Sequence, residues 1–235
     1  MGNEFSINSD DDSFEESFFV CESRKCKIPN DIYSYRDTIK KAWNEKKKIF
    51  PSKGNVSNIG LNDLQKAGEA IKSYFNENKV ESLNVLEIMA GNCVASKCVQ
   101  KYINYVKWIS TDIDKSDCVD CLEKDAIDAI EEFGNQTELL IMISPPPSPS
   151  IKDDSPSLGY GDFFACDYFI KNSNKTKYII IIGELGASDG TEGMYDFLMN
   201  NEKLDCVVRK VIKRSVIQII NDICTKEVFI FKVNS

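Results

Sequence analysis

Histidine is absent from all 235 residues, so imidazole acid–base chemistry is excluded, and any proton transfer falls to carboxylates, Tyr, Lys, Cys or water. Long apolar runs are also missing. No stretch reaches the length of a membrane span, and no apolar signal region is visible near the N-terminus. Positive charge is scarce: 29 Lys and Arg stand against 37 Asp and Glu, a net charge of −8 that opposes broad binding to a phosphate lattice. Lys46, Lys47 and Lys48 form the one dense basic cluster, which reads as a solvated helix end. The G-x-G-x-x-G pattern is missing as well, which weighs against a dinucleotide oxidoreductase.

Cysteine, by contrast, is plentiful. The count of nine is odd, and Cys93 and Cys98 fall inside an expected helix; both points predict reduced thiols in a cytoplasmic protein. Cys21 and Cys26 form a C-x4-C and Cys118 and Cys121 a C-x-x-C. Together they would make a four-thiolate zinc site, but neither pair sits on a knuckle-like glycine turn, and no metal is expected.

Three segments follow from composition. Residues 1–28 are acidic and Ser-rich, with Asp10-Asp11-Asp12 and no sustained period, and read as a disordered tail. Their opening, Met1-Gly2-Asn3-Glu4-Phe5-Ser6, fits the N-myristoylation pattern, although the acidic run behind it would be repelled by an anionic leaflet. Membrane association is therefore expected only if Gly2 is acylated. Residues 29–80 read as two amphipathic helices, a lid or extension. One covers 31–48, with Ile32, Tyr35, Ile39 and Trp43; the other covers 63–78, with Leu64, Ala67, Ile71, Tyr74 and Phe75 on one face. Residues 81–235 alternate. Strand-like runs at 84–89, 106–111, 138–143 and 177–182 are separated by helical segments, which implies a parallel sheet covered on both faces. The apolar stretch 206–233 breaks into runs at 207–213, 216–220 and 227–232, whose pairing the pattern leaves open.

The chemistry gathers where strands end. Asn84-Val85-Leu86-Glu87-Ile88-Met89-Ala90-Gly91-Asn92 is a short apolar run closed by an acid and a small-residue turn, where Ala90 and Gly91 let backbone approach a ligand. The next run, Val106 to Thr111, ends in Asp112 and Asp114. Asp112 lies about twenty residues past the glycine turn, where a strand-end carboxylate can accept two ribose hydroxyls. A helix N-cap is the competing reading for both acids. Glu138 to Ile143 runs into Ser144-Pro145-Pro146-Pro147-Ser148-Pro149, a stiff rim whose carbonyls face outward and which also fits P-x-x-P.

Over roughly residues 60–233 the chain resembles the class I S-adenosylmethionine-dependent methyltransferases. In that family the first strand ends in an acid and a G-x-G-x-G turn. Glu87 and Gly91 match it, while Met89 and Cys93 stand at the outer glycines. The resemblance implies a Rossmann-like, seven-stranded, mostly parallel sheet with helices on both faces and a C-terminal antiparallel hairpin. It implies S-adenosylmethionine as cofactor, held by Glu87, Ala90, Gly91, Asn92, Asp112, Asp114, Asp125 and Ala126, the last two as the acidic-small pair that meets adenine. Ser144-Pro145-Pro146-Pro147 resembles the (N/D)-P-P-(Y/F/W) motif of amino-group methyltransferases. Ser replaces Asn or Asp and Pro replaces the aromatic; without a stacking platform a flipped base becomes the poorer substrate.

The long loop 150–160 reads as a lid or substrate contact, with Tyr160 and Phe163 as an aromatic wall beside Phe164, unless the phenylalanines are core. Asp162 is expected to cap the helix that follows. Glu184, at the next strand end, would share the rim of Ser144 and hold a cationic amine or a proton. Asp189 and Glu192 read as a capping box. The expected activity is methyl transfer to a protein or small amine rather than nucleic acid. The competing expectation is an inactive module of the same fold, to which Met89, Cys93 and Ser144 point.

Overall fold

A computed structural model describes residues 59–113, 118–145, 160–172, 176–184, 189–190, 192–217 and 222–234. The acidic tail, Gly2, the helix expected at 31–48, the Cys21–Cys26 pair, Asp114 and Pro146 to Pro149 lie outside these residues.

The described elements run in the order α1 (Leu61–Glu77), β1 (Leu83–Ile88), α2 (Val94–Val99) with a 3-10 turn at Gln100–Tyr102, β2 (Tyr105–Asp112), β3 (Cys121–Glu123), α3 (Ala126–Phe133), β4 (Leu139–Ile143), α4 (Tyr160–Lys171), β5 (Lys177–Glu184), α5 (Glu192–Met199), β6 (Leu204–Ile217) and β7 (Asp222–Val233). Seven strands form one sheet in the order β3-β2-β1-β4-β5-β7-β6. β3, β2, β1, β4 and β5 are parallel; β7 runs antiparallel to both β5 and β6. The three C-terminal runs left open by pattern resolve into two long strands, because Val211 to Lys213 and Val216 belong to one ladder interrupted by register shifts.

The period-2 pattern sorts the core onto two faces. Leu86, Ile88, Leu140, Met142, Ile179, Ile181, Phe229 and Phe231 pack under α3, α4 and α5. Val85, Leu139, Ile141, Ile143, Ile180, Ile182, Val228 and Ile230 pack against α1 and α2. The expected face of α1 (Leu64, Ala67, Ile71 and Phe75) is buried there, so this helix is part of the core. Strands apolar on both faces are what a doubly covered parallel sheet requires. β1 pairs with β2 on one side and with β4 on the other, so the progression of strands across the sheet reverses there while all three stay parallel. Ligands of open α/β sheets bind in the crevice beyond the strand tips at such a switch point.

Candidate functional site

The turn leaving β1 sits at that crevice. Its three alternate residues Met89, Gly91 and Cys93 all have left-handed backbone, with φ of 59°, 54° and 59°. These are the positions of the glycines in G-x-G-x-G, so the conformation is kept where two of the glycines are not. A Cβ in this region carries strain, and that strain persists only where surrounding structure over-determines it. The ties are visible. Ala90 N–H donates to the Thr111 carbonyl at 3.0 Å, Cys93 N–H to the Ala90 carbonyl at 3.0 Å, and Gly91 N–H to Asp112 Oδ2 at 2.8 Å. Asn92 Oδ1 accepts from Val94 N–H at 3.2 Å, at the start of α2. Asp112, the last residue of β2, thus stands beside the turn, as its spacing predicts.

Glu87 is held differently from the expectation of a ligand contact. It is buried at 1% exposure and accepts from Ser110 Oγ at 2.7 Å, Trp108 Nε1 at 3.1 Å and, at very short range, Ser96 Oγ. Burial pushes its pKa up; the three donors oppose this, and the Asp112 charge adds to the rise. Its carboxylate fastens β1 to β2 and to α2 beneath the turn. The sequence showed the acid but not its three partners, which come from separate elements.

Asp125 follows β3, as the resemblance implies, and its Oδ1 accepts from Ile127 and Asp128 N–H at 2.9 Å each, which makes it the N-cap of α3 rather than a solvated acid. Ala126 packs into the core.

The cysteine expectation requires correction. Cys93 and Cys118 form a disulfide with Cα atoms 6.0 Å apart, so neither is a reduced thiol, and Cys118 and Cys121 are not available together as thiolates. Cys93 is also the N-cap of α2 rather than a helix residue. Cys121 is not disulfide-bonded and is buried in the same cluster, against Ala90.

The other bank of the crevice is the tip of β4. Ser144 has φ +48°, and its buried Oγ has no partner among the described residues. Buried polar atoms are seldom left so. Its N–H donates to the Ile182 carbonyl at 2.8 Å, which ties the tip to β5. Pro145 offers its carbonyl to Gly190 N–H at 2.7 Å. Glu184 ends β5 at 5% exposure, and its N–H donates to Asp189 Oδ2 at 2.9 Å.

Asp189 is not part of a capping box. Its Oδ2 also accepts from Lys226 Nζ at 2.8 Å, a buried ion pair reaching from β7, where Lys226 stands opposite Glu184 in the ladder. Sequence reasoning missed this pair; a lysine leading the apolar run Val228 to Val233 is its one visible signal.

Phe163 is corrected too. It is buried in the core with its ring 4.7 Å from that of Phe197, because the helix α4 starts earlier than expected and turns it inward. For the same reason Asp162 lies in the first turn of α4, inside the helix rather than ahead of it, and accepts from Phe163 N–H. Tyr160 opens that helix.

No protein-family model and no curated protein matches the sequence. Solved structures do resemble the fold. SMU.776, designated a methyltransferase and complexed with SAH, is 14% identical with a TM-score of 0.50 over 74% of this chain and 50% of its own, so the chain spans half of that protein. The chain has the fold of the class I methyltransferases. The N-methyltransferase NodS from Bradyrhizobium japonicum WM9 is 11% identical, with a TM-score of 0.46 over 72% of this chain and 98% of its own. Magnesium protoporphyrin IX methyltransferase from Synechocystis PCC 6803, solved with bound SAM, is 8% identical, with a TM-score of 0.43 over 89% and 100%.

Proposed function

We propose that this chain is an S-adenosylmethionine-dependent methyltransferase whose cofactor lies across the tips of β1 and β2 and whose acceptor meets the tip of β4. The observation that carries the proposal is the left-handed turn Met89–Gly91–Cys93 at the switch point, beside the Asp112 carboxylate. The residues fit this cofactor. Such a turn brings backbone N–H groups close to a ligand's polar end. Asp112 can accept the ribose hydroxyls, and Asp125 and Ala126 would meet the adenine; Asp114, assigned to the same cofactor, lies outside the described residues. Glu87 supports the turn from below, and Ala90 and Asn92 complete it.

The cofactor would supply an activated methyl group; the chain's task is to hold the acceptor in line with it. Positioning accounts for much of the catalysis in such a displacement, which suits a protein without histidine. Ser144 would accept a hydrogen bond from the acceptor through its unpartnered Oγ, with Pro145 and Pro146 shaping the rim and Glu184 close by on the neighbouring strand tip. An acid-lined rim without an aromatic platform favours a protein or small amine over nucleic acid. Tyr160 is assigned to the acceptor side; Phe163 is not. The extension expected over 29–80 includes α1, whose apolar face packs into the core of the domain expected over 81–235. A cytoplasmic location fits this role, with membrane contact only through an acylated Gly2; no described helix is long and apolar enough to cross a membrane.

One set of observations favours the second reading, an inactive binding module: Asp112 and Pro145 each already accept a backbone N–H. Calorimetry with S-adenosylmethionine and S-adenosylhomocysteine separates the two. Binding of both, with transfer of radiolabelled methyl to a host lysate that is lost in Asp112→Ala, is the expected result. Silence in calorimetry with either ligand leaves only the module.

A further inference from the structure

The turn after β1 needs left-handed backbone at three places, and chain chemistry makes only Gly91 free of strain there. Cys93 is the residue that costs most to explain. It caps the N-terminus of α2 with φ +59° and no side-chain cap hydrogen bond, and its side chain makes the bond to Cys118. Cys118 belongs to the connection between Asp112 and β3, so the bond ties the turn after β1 to that connection. Lys97 and Asp120 make an exposed ion pair of 3.3 Å across the same gap.

We propose that the Cys93–Cys118 disulfide is a thiol-exchange site that takes a dithiol as its reactant and that sets cofactor affinity, because the bond stands in for the missing third glycine. This rests on the methyltransferase reading. Closed, the bond holds Cys93 in the conformation a glycine would adopt freely. Opened, it lets the residue relax to ordinary backbone, and the turn must be rebuilt whenever the cofactor binds. In the opening step a thiolate of the dithiol attacks one cysteine sulfur, the S–S bond breaks, and its electron pair leaves on the other sulfur, which takes a proton. The second thiol of the reactant then resolves the mixed disulfide, so the reactant is oxidised to a disulfide and Cys93 and Cys118 are both reduced to thiols. Both cysteines are buried, at 3% and 4% exposure, and the fully exposed Val119, next to Cys118, marks the side from which the dithiol would reach them.

The test uses the full chain in a Cys121→Ser background, which removes the neighbouring buried thiol as an alternative partner. Alkylation and mass spectrometry first establish that Cys93 and Cys118 are protected until dithiothreitol is added; labelling of both beforehand overturns the proposal. Calorimetry with S-adenosylhomocysteine then gives affinity before and after dithiothreitol. The reduced protein is expected to bind about tenfold more weakly, equivalent to about 1.4 kcal/mol. Adding Cys118→Ser reproduces the weak state under both conditions. Adding Cys93→Gly to that variant restores the tight state and removes the response to dithiothreitol. Equal affinity in both redox states, or no gain from the glycine, refutes the proposal while leaving the cofactor assignment standing. Failure of the oxidised protein to bind at all ends both.

Discussion

The two banks of the crevice are fastened by different physics. On the β1–β2 bank, neutral donors converge on acids: Ser96, Ser110 and Trp108 on Glu87, and Gly91 N–H on Asp112, with a covalent bond behind the turn. On the β4–β5 bank, a buried cation does the fastening. Lys226 holds Asp189, which receives the Glu184 N–H, and the adjacent Gly190 receives the end of β4 by donating to Pro145. The first bank is built between Glu87 and Cys118. The second depends on a strand 37 residues away from Asp189, so it forms only once the C-terminal hairpin is in place. A network of hydrogen bonds from several neutral donors degrades gradually when one donor is lost. An ion pair out of water does not, since removing one member strands the other.

That contrast sets the largest expected effect. Lys226→Met leaves the Asp189 carboxylate buried without its cation and is expected to cost about 3–5 kcal/mol of stability, read from urea midpoints. Adding Asp189→Asn should return a good part of the loss, because the stranded charge is then gone. If Lys226→Met unfolds at the same urea concentration as the parent, the acceptor bank is not held by this pair.

On the other bank the matching change tells on binding more than on folding. Asp112→Asn keeps the shape of the side chain but removes its charge and half of its acceptor capacity. It is expected to weaken S-adenosylhomocysteine roughly tenfold to a hundredfold, the worth of about 1.5–3 kcal/mol for hydrogen bonds to a charged group, with little change in the urea midpoint. A large stability loss with unaltered affinity would make Asp112 a strut and not a ligand acid.

How much of this could be read from the chain follows the same division. Near-continuous apolar runs in Val85–Ile88, Leu139–Ile143 and Tyr178–Ile182 announce the buried parallel strands, since a sheet covered on both faces leaves that plain signature. The tips Glu87–Gly91, Asp112 and Ser144 are legible because their elements are consecutive and their spacing is fixed by strand and helix lengths. Long-range ties have no such signature. Cys93 and Cys118 are 25 residues apart, and an odd number of cysteines argued against the bond they make. Asp189 carries the spacing of a helix cap, but which acid caps and which pairs is settled by what β7 brings to it. Phe163 illustrates the third kind of loss: a helix start displaced by two or three residues turns a side chain from rim to core.

A smaller effect probes the link between the tips of β4 and β5. Gly190 has φ +76°, and a Cβ there would meet Met194 Cε at 2.9 Å and Tyr195 at 3.1 Å. Gly190→Ala is expected to cost about 1–2 kcal/mol, from left-handed backbone with a Cβ plus partial repacking of a flexible methionine. A thermal midpoint unchanged by the substitution would show that the clasp on Pro145 gives way easily and does not fix the rim.

The smallest effect returns to Glu87 and depends on pH. Burial is the first cause of its raised pKa, so the folded protein binds this proton more tightly than the unfolded chain does. The stability it contributes is therefore complete below the ordinary value of 4.5 and is lost as pH rises through the higher folded-state value. Glu87→Gln is neutral throughout and keeps the volume; the Ser96 hydroxyl, on the other oxygen, can turn to accept from the amide while Trp108 and Ser110 go on donating to the remaining oxygen. Relative to the parent, this variant should gain stability between pH 4 and pH 7, and its urea midpoint should move the less of the two. The Asp112 charge contributes to the rise, so in an Asp112→Asn background the gain should shrink. A gap between Glu87→Gln and parent that stays constant from pH 4 to pH 7 would mean that Glu87 is solvated enough to titrate normally, and that the bank carrying the cofactor turn is looser than its hydrogen bonds imply.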